Sequence, residues 1–310
     1  MITKTAKPFV KWVGGKTQLL PHLTKIVDTI YPNKQIDSYV EPFIGGGALF
    51  FWLCTHKHVK SAIISDVNED LILTYRVVQQ FTKKLINQLA LLEQQYVAVN
   101  DEQREVMYYE IRKQYNLEKT QINYEKLVTN LSVNRASKFI FLNKTCFNGL
   151  YRQNSKGQFN VPFGRYKTPK ICDADNLINC AAVLKNVNIL CGDFKSTEKY
   201  VVKNSLVYLD PPYKPITKTA SFTKYHKDDF GDNDQIRLAD YYKRIDGLGA
   251  KIILSNSDPM SVNSNNSFFD DLYSSFDISR VNVSRAVSAA ASSRKVVKEL
   301  IIKNIGLGLI

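Results

Sequence analysis

The sequence predicts an α/β protein whose mostly parallel sheet is interrupted by a helical and hairpin insertion of roughly a hundred residues. Short apolar runs that end in an acid point to the sheet: Ala62–Asp66, Val187–Asp193 and Ser205–Asp210. Runs of this kind read as strands buried on both faces. A glycine turn, Glu41-Pro42-Phe43-Ile44-Gly45-Gly46-Gly47, follows the end of a further short strand at Ser38-Tyr39-Val40. Between the two halves of the sheet, from about Leu71 to Val133, the periodicity is helical and no strand-like run occurs.

The chain opens on Phe9-Val10-Lys11-Trp12-Val13-Gly14-Gly15-Lys16-Thr17, followed by a helix over Leu19–Ile30. Gly15-Lys16-Thr17 resembles the tail of a phosphate-binding Walker loop. That motif needs a glycine five residues before Gly15, where Val10 stands, which argues against a nucleotide triphosphatase. After the glycine turn, Ala48–Leu53 starts a buried helix and Ala62–Asp66 forms the next strand. Asp66 falls 19 residues after Gly47, near the spacing at which a strand-end carboxylate meets a ribose in a doubly wound nucleotide site. Strand, glycine turn, helix and acid-tipped strand together point to an adenosine-containing cofactor. An ordinary turn with Asp66 capping a helix fits the same residues. A dehydrogenase would want a glycine where Phe50 stands.

The insertion carries the strongest bias in the chain. No Asp or Glu occurs between Lys126 and Cys172, while Arg135, Lys138, Lys144, Arg152, Lys156, Arg165, Lys167 and Lys170 do. Aromatic residues interleave them, from Phe139 to Tyr166. Asn154-Ser155-Lys156-Gly157 reads as a hairpin turn between Leu150–Gln153 and Gln158–Val161. A charge run is most often a solvated face. One of single sign, rich in Arg, Asn and aromatics and built on a hairpin, is better explained as a nucleic-acid reader.

Beyond Ile171 strands and helices alternate again. Phe222–Gly231 reads as a polar loop, Asp234–Leu248 as a helix and Ala250–Asn256 as a buried strand. Ile278–Val283 and Val296–Lys303 read as a closing antiparallel pair around the small-residue stretch Ala286–Ser293. The strand that ends at Asp210 runs into Pro211-Pro212-Tyr213. Two prolines cannot continue a ladder and offer carbonyl acceptors without N–H donors. With the Asp210 carboxylate and the flat Tyr213 ring, the corner suits a substrate presenting N–H donors on a planar ring. Taken alone, the four residues equally fit a strand that ends in a Pro-rich turn.

Composition narrows the class. A net charge of +13 and a pI near 9.3 over 310 residues favour a polyanionic partner, most often nucleic acid. Hydrophobic residues at 44% and charged residues at 23% describe a globular chain, with no apolar run of membrane-spanning length and no signal-peptide core after Met1. Five cysteines without a C-x-x-C pair read as reduced thiols in a cytoplasmic protein. His56-x-His58 lacks a nearby Cys or carboxylate companion, so no metal site is expected.

Four stretches resemble one family. Lys11-Trp12-x-Gly14-Gly15-Lys16, Pro42-Phe43-x-Gly45-x-Gly47, Asn143 through Gly164 and Asp210-Pro211-Pro212-Tyr213 are similar to the DNA adenine-N6 methyltransferases of the GATC-methylating type. The resemblance spans nearly the whole chain. Asn148-Gly149-Leu150-Tyr151-Arg152 and Phe159-Asn160-Val161-Pro162-Phe163-Gly164 are its most specific part. It implies a Rossmann-like methyltransferase sheet, with residues 1–70 and 173–310 as the S-adenosylmethionine-binding catalytic domain and 71–172 as an inserted target-recognition domain. By similarity, Trp12, Lys16, Asp66 and Asp210 contact S-adenosylmethionine, with Asp66 on the ribose hydroxyls. Phe43, Gly45 and Gly47 shape the methionine pocket, and Asp193 and Phe194 bracket the adenine ring. Asp210, Pro211, Pro212 and Tyr213 act on an adenine flipped out of double-stranded DNA. Arg152, Pro162 and Lys11 read bases, Phe147, Asn148 and Leu150 press into the base stack, and Arg165 holds a phosphate. Glu41 departs from the Asp that many members carry, while keeping the carboxylate.

Rival classes leave part of the chain without a role. A nicotinamide oxidoreductase explains the sheet and Asp66 but neither the acid-free stretch nor Asp210–Tyr213. A DNA-binding regulator explains the basic stretch and leaves the cofactor elements idle. The same chemistry on another DNA site, or on RNA, is the nearer alternative.

Overall fold

A computed structural model describes residues 5–12, 14, 16, 18–124, 128–213, 230–286 and 294–305, with backbone alone at 284–286 and 294–297. Seven strands form one sheet: β1 (Gln35–Glu41), β2 (His58–Asp66), β3 (Val187–Cys191), β4 (Leu206–Leu209), β5 (Lys251–Ser257), β6 (Asp277–Ala286) and β7 (Arg294–Lys303). Their spatial order is β3-β2-β1-β4-β5-β7-β6. The first five run parallel, and β7 lies antiparallel between β5 and β6. The sheet is therefore Rossmann-like, as the sequence predicts, with the closing antiparallel pair where Ile278–Val283 and Val296–Lys303 put it.

Successive side chains of a strand point to opposite faces, and each inner strand feeds two cores. Tyr39, Ile64, Tyr208, Ile253 and Ile301 join the larger cluster, while Val40, Ile63, Val207, Leu254 and Ile302 join the smaller one. Helices α1 (Leu20–Ile30) and α2 (Ala48–His56) feed the larger cluster, and α8 (Asp232–Gly247) and α9 (Phe268–Leu272) the smaller. A continuous apolar run such as Leu206–Leu209 is what a strand covered on both faces requires.

The helical stretch resolves into α3 (Glu69–Gln80), α4 (Thr82–Val97), α5 (Asp101–Glu118) and α6 (Asn130–Thr145), and α7 (Ala174–Leu184) leads back to the sheet. Caps mark the starts of three of them. Asn68 accepts from the Leu71 N–H, Asn100 forms a capping box with Gln103, and Thr129 one with Ser132. The larger core continues without a break into these helices through Tyr108, Tyr115, Phe139 and Phe141. Helix α3 crosses residue 70 and packs on β2 and β3 as well as on α6.

The expected hairpin after α6 forms without regular strands. Its arms meet at single bridges, Gln153 with Phe159 and Cys146 with Phe163, and the turn closes through Gly157 N–H to the Asn154 carbonyl at 2.8 Å. The reason lies in α5. Asn116 takes both the N–H and the carbonyl of Phe159 (2.8 and 3.0 Å), and Tyr108 and Arg112 donate to the Val161 carbonyl (2.7 and 3.1 Å). Helix side chains thus satisfy backbone groups that a ladder would otherwise pair. Most of the expected polar loop at Phe222–Gly231, and the small-residue stretch after Ala286, lie outside the described residues.

Candidate active site and DNA-facing surface

The glycine turn follows β1, Asp66 ends β2 and Asp210 follows β4. These three strands are parallel and adjacent, so the three groups stand together at one end of the sheet. Gly45 and Gly47 hold φ of 46° and 72°, which glycine adopts at no steric cost. A side chain would also collide: a Cβ at Gly45 would sit 2.7 Å from Trp12 Cδ1, and one at Gly47 2.7 Å from the Tyr75 hydroxyl. The turn is pinned by Ile44 N–H to the Ser65 carbonyl (2.8 Å) and by the Tyr75 hydroxyl to the Gly45 carbonyl (3.1 Å).

Asp66 accepts from Gly45 N–H at 3.1 Å and from Asn68 N–H at 2.9 Å. Burial pushes its pKa up to about 6, with these backbone donors pulling the other way. Glu41 is buried behind the turn and accepts from the Tyr39 hydroxyl at 2.7 Å. Desolvation raises its pKa well above the carboxylate range, so it serves the interior of the sheet. Phe43, Phe194 and Phe230 form an aromatic cluster with centroids 5.6–6.2 Å apart. Arg237 caps it, 5.2 Å over the Phe194 ring and 3.0 Å from Asp193. Phe230 and Arg237 carry no motif and were legible only in three dimensions.

At the second corner Asp210 is held from two sides. Lys16 Nζ lies 2.8 Å from Asp210 Oδ1, donates to the Gly14 carbonyl at 2.9 Å and stands 4.1 Å over the Tyr213 ring. Ser255 donates to Asp210 at 3.0 Å and is itself 2.9 Å from the Tyr208 hydroxyl. Desolvation raises the Asp210 pKa, while Lys16 and Ser255 lower it. Lys16 thus joins Asp210 and Tyr213. The Tyr213 hydroxyl donates to Glu299 at 3.0 Å, and Gln235 donates to the Pro212 carbonyl at 3.3 Å. Pro211 is buried and Pro212 exposed. Sequence reading missed Ser255, Glu299 and Gln235; only the strand end at Ser255-Asn256 hinted at a polar corner.

The basic insertion presents a third group. Lys11 is exposed, and its main chain is clamped by Asn143, which accepts from the Lys11 N–H and donates to the Lys11 carbonyl, each at 2.8 Å. Asn143 also donates to the Gly149 carbonyl at 3.1 Å, locking Lys11 to the turn at Phe147–Gly149. In that turn Asn148 and Gly149 hold φ of 57° and 65°, and a Cβ on Gly149 would meet Lys11 Cδ at 2.3 Å. Phe147 and Leu150 are 50% and 40% exposed, leaving apolar surface in solvent beside Lys11. Phe147 N–H donates to the carbonyl of the exposed Pro162 at 2.9 Å, so these two share one edge. Arg152 Nε donates to Asn160 at 2.9 Å. Arg165, at φ 55°, extends into solvent and meets Glu105 at 3.3 Å.

Residues 12–287 match the family model of the D12 class N6 adenine-specific DNA methyltransferases. The chain belongs to this family. It is 47% identical over 299 residues to the type II methyltransferase M.MjaIII of Methanocaldococcus jannaschii, covering 96% of this chain and 99% of the relative. It is 38% identical to the type II methyltransferase M1.LlaDCHI of Lactococcus lactis subsp. cremoris, over 97% of this chain and 96% of that one. With the DNA adenine methylase of Haemophilus influenzae the identity is 33%, over 95% and 92%. The D12 methyltransferase is thus an adenine-specific DNA-modifying enzyme, and the oxidoreductase and regulator readings fall away. Among the described residues no helix is long and apolar enough to cross a membrane, and no cluster of His, Cys, Asp or Glu gathers as metal ligands.

Proposed function

We propose that this D12 methyltransferase takes its methyl group from S-adenosylmethionine and delivers it to N6 of an adenine flipped out of duplex GATC. The observation that carries the reading is the placement of Asp66, the glycine turn and Asp210 at one end of three adjacent strands. The donor set fits the cofactor: Asp66 offers carboxylate oxygens to ribose hydroxyls, the half-buried Phe43 offers a ring face to adenine, and Trp12 backs the turn. Phe194, expected to bracket the ring, is buried behind Phe43 and supports it. Bound there, S-adenosylmethionine supplies an electrophilic sulfonium methyl.

The chain's own residues prepare the acceptor. The amino nitrogen of adenine is a poor nucleophile because its lone pair is delocalised into the ring. Asp210 and the Pro211 carbonyl accept its two hydrogens and draw it towards a tetrahedral geometry. Positioning of this kind contributes roughly 7–11 kcal/mol, more than the about 10²–10⁴-fold of ordinary acid–base catalysis. The proton leaves N6 after transfer, and Asp210 orients without having to act as a strong base. The flipped base stacks on the Tyr213 face that Lys16 now engages and uses the second oxygen of Asp210, Lys16 and Ser255 both bonding to Oδ1.

Sequence is read from the insertion. Arg152 suits guanine O6 and N7, Pro162 the thymine methyl, and Lys11 a further base edge. Phe147, Asn148 and Leu150 wedge into the stack that the extruded base vacates. Arg165 serves a phosphate. Incubating the purified chain with methyl-labelled S-adenosylmethionine and a GATC duplex should place the label on adenine N6. Label retained on the donor, or found on another base, refutes the reading.

A further inference from the structure

Two stacked rings join the glycine turn to the residues that face DNA. Trp12 lies against the turn, so that a Cβ on Gly45 would come 2.7 Å from its Cδ1 and one on Gly46 3.4 Å from its Cβ. The Tyr151 ring stacks on Trp12 with centroids 5.2 Å apart and planes 20° from parallel. Tyr151 is buried, and its hydroxyl accepts from Gln153 at 2.5 Å. Each ring is also the chain neighbour of a DNA-facing side chain: Lys11 precedes Trp12 and Arg152 follows Tyr151. Lys11 is clamped by Asn143, and Arg152 is braced by Asn160.

Packing this close transmits displacement: Tyr151 is buried, and the half-buried Trp12 is held between it and the glycine turn. A shift of the glycine turn has to move Trp12, and Trp12 has to move Tyr151. We propose that Tyr151 is a positioning residue: through its stack on Trp12 it ties occupancy of the donor site to the alignment of Arg152 and Lys11 on the recognised sequence. This rests on the reading of the Gly45–Asp66 region as the donor site and of the insertion as the sequence reader. Linkage then requires that donor-site ligand and recognised DNA strengthen one another by the same factor.

The test uses the full chain, S-adenosylhomocysteine as an unreactive donor-site ligand, and duplexes with one GATC or a scrambled site. DNA Kd is measured by fluorescence anisotropy with and without the ligand. In the wild type the ligand should tighten GATC binding by about fivefold or more and leave the scrambled duplex unchanged. Tyr151→Phe keeps the stack and should keep that factor. Tyr151→Leu should bring it close to one, while Kd for ligand alone and for scrambled DNA stays within about twofold of the wild type. Tyr151→Met, which also removes the ring and leaves the donor-site residues in place, should lose the factor as well and decides the matter if the Leu variant misfolds. A factor of one in the wild type, full coupling in either ring-removing variant, or loss of coupling in Tyr151→Phe overturns the proposal. A wild type that binds no S-adenosylhomocysteine refutes the donor-site reading itself, which the coupling factor alone does not address.

Discussion

In the proposed mechanism Asp210 works as an anion where burial discourages anions. Desolvation raises its pKa, and Lys16 is the largest influence that lowers it. Replacing Lys16 with Met should raise it further. The acid limb of the single-turnover rate should then move to higher pH, and Asp210→Ala should abolish transfer at every pH while leaving a folded, DNA-binding protein. An acid limb that stays in place in Lys16→Met would mean that Asp210 ionisation does not govern the rate. Asp66 carries the same tension, with its pKa pushed up to about 6. A carboxylate raised in the folded state binds its proton more readily there than in the unfolded chain. Ionised Asp66 therefore costs stability at neutral pH, and that cost is relieved progressively as pH falls from about 6 to below the ordinary 3.8. In the proposed donor site ligand binding runs the opposite way, because ribose hydroxyls there need the ionised acceptor. Calorimetry should show affinity for S-adenosylmethionine weakening below about pH 6. Asp66→Ala should cost on the order of 1.5–3 kcal/mol at neutral pH and flatten that part of the profile. Unchanged affinity would remove Asp66 from the donor site.

On the proposed reading, the insertion separates contacts that read bases from contacts that hold the backbone. Arg152 is braced by Asn160 in a fixed direction, whereas Arg165 reaches out and touches only the rim carboxylate of Glu105 among the described residues. Arg152→Ala should relax one guanine position, at about 1–3 kcal/mol of discrimination. Arg165→Ala should weaken all sequences together and flatten the salt dependence. Competition binding on single-mismatch duplexes at two salt concentrations distinguishes them, and a uniform loss in Arg152→Ala would reassign it to the backbone. The sheet was legible because apolar runs such as Leu206–Leu209 have no other stable use, and the glycine turn because Gly45 and Gly47 tolerate no Cβ. The hairpin was legible as a reversal but not in its pairing. Its backbone partners are Tyr108, Arg112 and Asn116, some forty to fifty residues away, and local pattern holds no trace of them. Ser255, Glu299 and Arg237 stayed hidden for the same reason: each becomes a site residue only through a neighbouring strand or helix.

Across the whole molecule, the sheet and the helical insertion share one core, fastened by a buried ion pair. Arg135 in α6 makes two bonds to Asp70 in α3, at 2.5 and 2.9 Å, with Tyr124 donating to the same carboxylate at 2.7 Å. Both charged side chains are almost fully buried. Removing one partner strands the other without water, so Arg135→Met should cost about 3–5 kcal/mol in denaturant unfolding. Asp70→Asn should cost a similar amount, and the double variant should recover much of the loss. Additive losses would show that the pair is not the unit. The same core holds Tyr151, with Trp12 packed against it, so the glycine turn and the insertion are packed together, and the proposed chemistry and sequence reading would be joined through them. That union makes the product the most direct test. A mixed library of duplexes is methylated by the purified chain with S-adenosylmethionine and read by methylation-aware sequencing. N6-methyladenine confined to GATC, and absent with Asp210→Ala, is the expected result; methylation centred on any other sequence, or undiminished without Asp210, contradicts the account.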